Sequence, residues 1–309
     1  MATIHDIARA CGLNASTVSR ALNNDPRVRE KTRERILQCA HELDYRPNQG
    51  ARNLASGRTG SLWLIVPNVF TPLEQAQSTY LSRFAHEQGL NLLIALYNSD
   101  LDIYERLLHQ LEMKLTDGAF ILPPYERTVR GGEVIERLYR NHFPLVFMDR
   151  DPDLPDVSVV SMVTDNTTAV RRLADACLAN GAEALLYRYP TCNSAAKERH
   201  DGLAGYPCIT RITKEKKVAL LASSAGEILN MVAELRRKHP NTAFIGGVFD
   251  YWRLERDGLE KIIVMPQDFE DVSRNGVETI MRMIQDPEAD FAREIRTPAM
   301  EPQIINPGA

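Results

Sequence analysis

The sequence predicts a small all-α helix-turn-helix domain at the N-terminus, followed by a longer α/β domain built on doubly wound parallel sheets. Three observations support this fold class. A helical period interrupted by a glycine occupies the first 22 residues, positive charge is concentrated in the first 60, and from Ser61 continuous apolar segments alternate with amphipathic ones. At 309 residues the chain is long enough for two or three domains.

The composition is that of a folded protein, with 44% hydrophobic and 25% charged residues. The net charge of -4 hides an asymmetry, because residues 1–60 carry ten Lys and Arg against six Asp and Glu, whereas the remainder carries 27 against 35. A basic segment attached to an acidic body is typical of a nucleic-acid-binding head on a sensor that does not bind nucleic acid. An ordinary solvated charged face would give the same numbers, so charge alone does not decide.

The five cysteines have no CxxC spacing and fall at Cys11, Cys39, Cys177, Cys192 and Cys208. Such isolated cysteines are typical of small buried side chains in a reducing compartment. No apolar run follows a basic start, and no segment has the length needed to cross a bilayer. We therefore expect a cytoplasmic protein.

The segment TIHDIARACGLNASTVSRAL at residues 3–22 begins with a helix. Thr3 stands at the N-cap position with Asp6 three residues later, an approximate capping box. Ile7 and Cys11 share one face at helical spacing. Gly12 then ends the helix, because glycine adopts the left-handed conformation at little cost.

A second helix follows, with Asn14 or Ser16 as its cap. Its predicted inward face holds Val18, Ala21 and Leu22, and its outward face holds Ala15, Ser16, Ser19 and Arg20. Two short helices joined by a glycine-containing turn predict a helix-turn-helix. Small hydroxyls and one guanidinium suit a surface that reads a DNA groove, although an ordinary helical hairpin packed on a larger core has the same pattern.

A third helix contains or follows the basic residues Arg29, Lys31, Arg33 and Arg35. Its apolar residues have helical spacing and are Ile36, Leu37, Ala40 and Leu43. Pro47 ends it, because a proline disfavours helical geometry in the residue before it. These three helices predict a module of about 45 residues.

The segments TIHDIARACGLNASTVSRALNN, VREKTRERIL and YRPNQGARNLASGRTGSLWLIVPN resemble the lac repressor and purine repressor family of bacterial transcription regulators. The resemblance covers the first 68 residues tightly and the rest only as a pattern. It implies a helix-turn-helix DNA-binding domain at 1–46, a hinge helix and linker at 47–60, and a two-lobed periplasmic-binding-protein-like core at 61–309. That core would bind an effector and form a homodimer on a near-palindromic operator.

The same resemblance assigns DNA contacts. Side chains expected in the major groove are Ala15, Ser16 and Arg20, and side chains expected at phosphates are Thr17, Ser19, Asn23 and Arg33. An arginine in the major groove most often reads guanine. In the hinge helix, Arg52 would contact phosphates and Leu54 would be the apolar wedge that kinks the duplex from the minor groove. A plain linker with a chance leucine is the alternative.

From Ser61 onward, apolar runs of strand length include LWLIV, NLLIAL, GAFIL, PLVFM, VSVVSMV, ALLY, VALLA, AFIGGVF and KIIV. Amphipathic helices separate most of them, which predicts parallel sheets covered on both faces. The two halves of this pattern fit the two lobes that the resemblance implies, with the chain crossing between lobes more than once. Between Arg199 and Asp250 the chain is shorter than the family pattern, so the second lobe and part of its effector wall are expected to be reduced.

Ligands of doubly wound sheets bind at the carboxyl ends of the strands. Polar or aromatic residues expected at this cleft are Asn68, Phe70, Asp149, Asp165, Arg199, Asp250 and Trp252, where Arg199 matches the family's effector-binding arginine and Phe70 and Trp252 are stacking candidates. Carboxylates and amides there would suit a hydroxyl-rich ligand, and Arg199 could bind a phosphate or carboxylate. Asp165 precedes a helix and has the alternative role of an N-cap.

Enzymatic motifs are not found, and the seven histidines have no metal-ligand spacing. We therefore expect no catalytic activity, no metal and no cofactor. The expected function is a transcriptional repressor of carbohydrate-related genes, controlled by a sugar or sugar phosphate. Control by a protein partner or constitutive binding is the alternative, and a sugar-binding protein with a vestigial head is a further one.

Overall fold

The computed structural model describes residues 2–46, 57–125, 128–152, 154, 157–188, 193–250, 259–291 and 293–305. The chain divides into two compact units, Met1–Thr59 and Gly60–Ala309. The predicted hinge helix, with Arg52 and Leu54, lies outside the described residues, and so does Trp252.

The first unit contains three helices in its described part, α1 (Ile4–Cys11), α2 (Ala15–Leu22) and α3 (Glu30–Glu42). The predicted capping box of α1 is confirmed, because the Asp6 carboxylate accepts the Thr3 backbone N–H at 2.9 Å and the Thr3 hydroxyl accepts that of Asp6. Gly12 follows α1 with a φ of 61°, the left-handed region that favours glycine. Asn14 caps α2 by accepting the backbone N–H of Thr17 at 2.8 Å.

The three helices enclose one apolar core, formed by Ile7, Ala8, Cys11, Val18, Ala21, Val28, Ile36 and Ala40. Two leucines of the third-helix pattern lie outside it, since Leu37 is 47% exposed and Leu43 is 37% exposed. The buried stripe of α3 is narrower than its apolar pattern because only its face toward α1 and α2 is covered.

The second unit contains twelve strands in its described part. They are β1 (Ser61–Val66), β2 (Asn91–Leu96), β3 (Gly118–Ile121), β4 (Leu145–Met148), β5 (Ser161–Thr164), β6 (Ala184–Tyr187), β7 (Cys208–Ile209), β8 (Lys217–Ser224), β9 (Ala243–Asp250), β10 (Lys261–Val264), β11 (Glu294–Thr297) and β12 (Gln303–Ile305). Six form a parallel sheet in the order β11-β5-β4-β3-β1-β2. The other six form a sheet in the order β12-β10-β9-β8-β6-β7, parallel except for the antiparallel pair β10 and β12.

The helices described in this unit are α4 (Pro72–Glu87), α5 (Leu101–Glu112), α6 (Gly132–Arg140), α7 (Asn166–Ala179), α8 (Ser194–Gly202), α9 (Ala225–Lys238) and α10 (Phe269–Gln285). Leu64 of β1 packs in a core with α4 and α10, whereas its neighbour Ile65 packs in a core with α5 and α6. Likewise Leu220 of β8 packs with α9, and Leu221 packs with α7. Each sheet is therefore covered on both faces, as its continuous apolar strands predict. In the part of the chain that the structure describes, no helix combines the length and apolar character needed to span a bilayer.

The chain crosses between the two lobes three times in its described part. Helix α7 follows β5 of the first sheet but packs in the second lobe, and α10 follows β10 of the second sheet but packs in the first lobe. Strand β11 then joins the first sheet and β12 the second. The prediction of more than one crossing is confirmed.

The connection between β7 and β8 is short. These strands flank β6, yet residues 210–216 join them without a helix. Ile212 within this connection is buried against Val218 and Leu235 and covers part of the sheet face. The segment lies between Arg199 and Asp250, where we expect the chain to be shorter than the family pattern.

Candidate functional site

The outward face of α2 forms the first candidate surface. Val18 and Ala21 are buried on the opposite face, so Ser16 and Arg20 project away from the core and are exposed, with Ala15 half-buried beside them. The Arg20 guanidinium makes no hydrogen bond or ion pair with the residues that the structure describes. A helix that presents an exposed guanidinium can enter a DNA groove and donate to base edges.

The predicted phosphate contacts differ in their surroundings. The Thr17 hydroxyl donates to Asn14 Oδ1 at 2.7 Å, and Ser19 is half-buried and Asn23 exposed at the C-cap of α2. The Arg33 side chain is only 16% exposed and pairs with Glu30 at 2.6 Å. It also donates to the backbone carbonyl of Asp25 at 2.9 Å. Arg33 therefore holds the loop before α3, and its contact with a phosphate stays a prediction.

The second candidate site lies at the carboxyl ends of the strands of the first lobe. Asn68 Oδ1 accepts the backbone N–H of Phe70 at 2.7 Å, and the Phe70 ring is 81% exposed. Asp149, directly after β4, has a φ of 72° and accepts from Arg150 at 2.6 Å. The structure thus places the three predicted residues of this lobe at one edge of the sheet.

Arg150 was not predicted, yet it is the largest fully buried side chain of the site. Its two terminal nitrogens donate to Asp149 and to the carbonyl of Pro123, and the guanidinium lies 4.5 Å from the centre of the Tyr125 ring. Asp149 is also fixed by this pair, which sets the orientation of its carboxylate. The sequence contains one signal that could have indicated the role of Arg150, because Arg150 directly follows Asp149 at the end of a predicted strand.

Arg199 occupies the matching edge of the second lobe and is 5% exposed. Its Nε donates to Asn166 Oδ1 at 2.7 Å, its Nη1 donates to Ser223 Oγ at 3.1 Å, and its guanidinium lies 3.9 Å from the centre of the Phe249 ring. The planar group is therefore held by three elements, α7, β8 and β9. Asn166 follows Asp165 at a strand end that the sequence predicts to face the cleft, whereas Ser223 has no sequence signal of its own.

Asp165 takes its alternative role. It caps α7 by accepting the backbone N–H of Thr168 at 3.0 Å. Burial opposes its ionisation, but hydrogen bonds from Thr168 hold the pKa of the Asp165 carboxyl below its usual value. Asp250 is the last residue of β9, and the structure describes its backbone but not its side chain.

The two edges meet. The backbone N–H of Asp151, next to Arg150, donates to the Ser194 hydroxyl at the start of α8, at 2.9 Å. Because Arg199 lies on the same helix, one contact joins the neighbourhoods of both buried arginines. Polar groups that converge from two lobes can bind a small polar molecule and respond to a change in the angle between the lobes.

Residues 3–48 match the family model described as bacterial regulatory proteins, lacI family. The HTH-type transcriptional regulator DegA of Bacillus subtilis is 28% identical over 173 residues, which are 55% of this chain and 51% of DegA. The alignment thus spans about half of that relative. The ribose operon repressor of Halalkalibacterium halodurans is 24% identical over 290 residues, 90% of this chain and 81% of the repressor.

A solved structure of the Lac repressor dimer bound to operator and the anti-inducer ONPF matches with a TM-score of 0.74. The match covers 99% of this chain and 98% of that one at 17% identity, which shows the fold and not the function. The predicted helix-turn-helix head on a two-lobed α/β core is confirmed.

Proposed function

We propose that this chain, which carries the DNA-binding domain of the lacI family of bacterial regulatory proteins at residues 3–48, represses transcription by binding operator DNA under the control of a small-molecule effector. The observation that carries the proposal is the outward face of α2, where Arg20 projects from a buried three-helix core. A bacterial repressor binds operator DNA in the cytoplasm, so we place the protein there. We assign it no catalytic role.

In this proposal α2 lies in the major groove. Ser16 and Arg20 read bases with Ala15 beside them, and an arginine there favours guanine. Thr17, Ser19 and Asn23 hold phosphates from the same helix. Arg52 and Leu54 act from the minor groove, as the resemblance of the hinge segment implies.

Binding to a near-palindromic operator requires a homodimer. Strand β2 supports one, because it is the edge strand of the first sheet and leaves Leu93, Ile94 and Leu96 between 39% and 47% exposed. An exposed apolar edge strand is a ready surface for pairing with another chain. We assign this edge to contact with a second copy.

The effector is proposed to be a sugar or a sugar phosphate, and the regulated genes to be carbohydrate-related. The support is the pair of polar edges, with Asp149 and Arg150 in one lobe and Arg199 in the other. The core is proposed to adopt two conformations that differ in the angle between the lobes. A ligand that binds one conformation more tightly increases its population, and this changes the spacing of the two DNA-binding domains in the dimer. The named ribose operon repressor among the relatives is consistent with this class.

The first test is a gel-shift titration of the full chain on duplex DNA at about 50 mM and 200 mM salt. A head that contacts roughly 6 to 10 phosphates should lose about 10³ to 10⁵ in affinity between the two conditions. An albumin-like protein of equal charge is the control for non-specific ionic binding. Absence of DNA affinity at both salt concentrations would support the sugar-binding protein with a vestigial head instead.

The second test is Arg20→Ala, measured on a library of operator variants. If Arg20 reads one base, the variant should lose about 1 to 3 kcal/mol of discrimination at a single base pair. Arg9→Ala is the matched control, since Arg9 is 81% exposed on α1 and pairs with Asp6. A loss that is uniform over all sequences for Arg20→Ala would assign Arg20 to the DNA backbone.

A further inference from the structure

Glu74 is a fully buried carboxylate at the start of α4, near the carboxyl edge of the first sheet. The sequence Thr71-Pro-Leu-Glu74 has the spacing of a capping box. The box is not formed, because neither carboxylate oxygen of Glu74 nor the hydroxyl of Thr71 has a hydrogen-bond partner. The backbone N–H groups of Glu74 and Thr71 still lower the pKa of this carboxyl, but neither makes a hydrogen bond of good geometry with it, so helix capping accounts for its burial only in part.

The charges around Glu74 do not neutralise it. Arg150 and Asp149 act on it with opposite sign, and the terminal nitrogens of Arg150 already donate to Asp149 and to the Pro123 carbonyl. The remaining nitrogen of Arg150, Nε, has no partner. The nearby phenol of Tyr97 donates to a backbone carbonyl. Two carboxylates and one guanidinium leave this cluster with one negative charge in excess.

Burial raises the pKa of Glu74, and the nearby backbone N–H groups and Arg150 oppose that rise only in part. A buried charge without a partner is unfavourable, and proteins retain such groups where a function needs them. An aliphatic side chain at position 74 would remove the penalty. The structure therefore points to a ligand group that pairs with this carboxylate.

Resting on the proposed effector role of this cleft, we infer that Glu74 binds a protonated amine, so that the effector is a hydroxyl-bearing ammonium compound of the amino-sugar type. A carboxylate in a partly desolvated site accepts from an ammonium group more strongly than from a hydroxyl. The Arg150 Nε can donate to a neighbouring hydroxyl of the same ligand. Tyr125, which stacks on Arg150, is 45% exposed, so this end of the cluster lies next to the surface.

Two other ligand chemistries fit less well. A metal ion needs several ligands, and among the described residues no group of three or more His, Cys, Asp and Glu side chains could hold one. A phosphate at this point would meet the surplus negative charge of Glu74 and Asp149. The amine is thus the cation that the cluster accommodates.

The first arm of the experiment compares the thermal unfolding of the ligand-free full chain with that of Glu74→Gln across pH. Because the folded-state pKa of Glu74 is raised, ionisation of this one group costs stability as pH rises from the ordinary carboxyl range through that raised pKa, and the cost remains at higher pH. Glu74→Gln should therefore unfold several degrees higher at about pH 7.5, and the difference should disappear near pH 4. Arg150, Asp149 and Tyr97, the ionisable side chains that interact with Glu74, are unchanged in the variant.

Glu87→Gln is the matched control on the same helix, since Glu87 is 55% exposed. It should leave the midpoint unchanged at every pH. If Glu74→Gln instead lowered the midpoint at neutral pH, Glu74 would be a structural cap and the inference would be wrong.

The second arm measures ligand binding to wild type and Glu74→Gln with matched pairs, glucosamine with glucose and galactosamine with galactose, by calorimetry near pH 7. At least one amine should bind about tenfold or more tightly than its parent sugar, and Glu74→Gln should abolish that preference. Equal binding within both pairs, no binding of either amine, or a preference that survives the substitution would overturn the inference. Neither arm contains DNA, so a failure of operator binding would contradict the proposed function and leave this result standing.

Discussion

Ile36→Ala should unfold the N-terminal unit at a much lower temperature than wild type while leaving the second unit unchanged. Ile36 is fully buried among side chains of all three helices. Truncating a buried isoleucine costs about 2 to 5 kcal/mol, which is comparable with the whole stability of a unit of this size. Differential scanning calorimetry of the full chain should show the head transition lowered by about 10 °C or more.

Leu37→Ala is the matched control for that experiment, because it removes a similar volume from the adjacent residue of the same helix. Leu37 is 47% exposed, so its truncation should shift the head transition by only a few degrees. DNA affinity should fall with Ile36→Ala above the lowered midpoint, since only the folded head binds. Equal shifts for the two variants would contradict the placement of the α3 stripe.

The sequence specified the head almost completely because its signals are local. Thr3, Asp6 and Gly12 act within one or two helical turns, and each forms the contact or conformation that its spacing predicts. Leu37 and Leu43 were less predictable, because the width of a buried stripe depends on which neighbouring helices cover it.

In the α/β unit, strands with continuous apolar runs were predictable and the polar edge strands were not. Strand β11 reads Glu-Ile-Arg-Thr and β12 has three residues, so neither has a period that distinguishes it from a loop. Both are defined by pairing with distant partners, β5 and β10. Such pairing is a property of the assembled sheet.

The residues of the candidate cleft also divide into those with a local sequence signal and those that depend on the assembled fold. Asp149 and Arg199 could be found from strand ends and from the resemblance, whereas Glu74 and Arg150 could not. Their importance comes from complete burial and from hydrogen bonds that are made or missing. Both depend on the assembled first lobe, in which α4 packs against β1, β2 and α10. Arg33 is the opposite case, because it has a clear sequence signal as a basic residue of the head. Its contacts with Glu30 and with backbone carbonyls could not be read from that signal.

Arg199→Met should weaken the second lobe and abolish its response to a bound sugar. The substitution leaves Asn166 Oδ1 without its donor, removes a hydrogen bond to Ser223 and removes the stacking on Phe249. We expect the unfolding free energy to fall by about 2 to 4 kcal/mol, because hydrogen bonds to a buried charge are strong and their partners stay buried. The change is measured by urea unfolding of the full chain, in which the unfolding transition of the α/β unit is followed.

Arg199→Lys and Lys197→Met give that experiment its controls. Lysine keeps the charge but lacks the planar fork, so Arg199→Lys should recover only part of the stability. Lys197 is exposed on the same helix, so Lys197→Met should change the unfolding free energy by less than about 0.5 kcal/mol.

A double-mutant cycle with Asn166→Ala separates the role of the guanidinium from that of its charge. Since Arg199 Nε and Asn166 Oδ1 are 2.7 Å apart, the two substitutions should be non-additive by about 0.5 to 3 kcal/mol. Additive losses would mean that Asn166 does not orient Arg199. If Arg199→Met kept both its stability and its full response to ligand, Arg199 would have no place in the effector cleft.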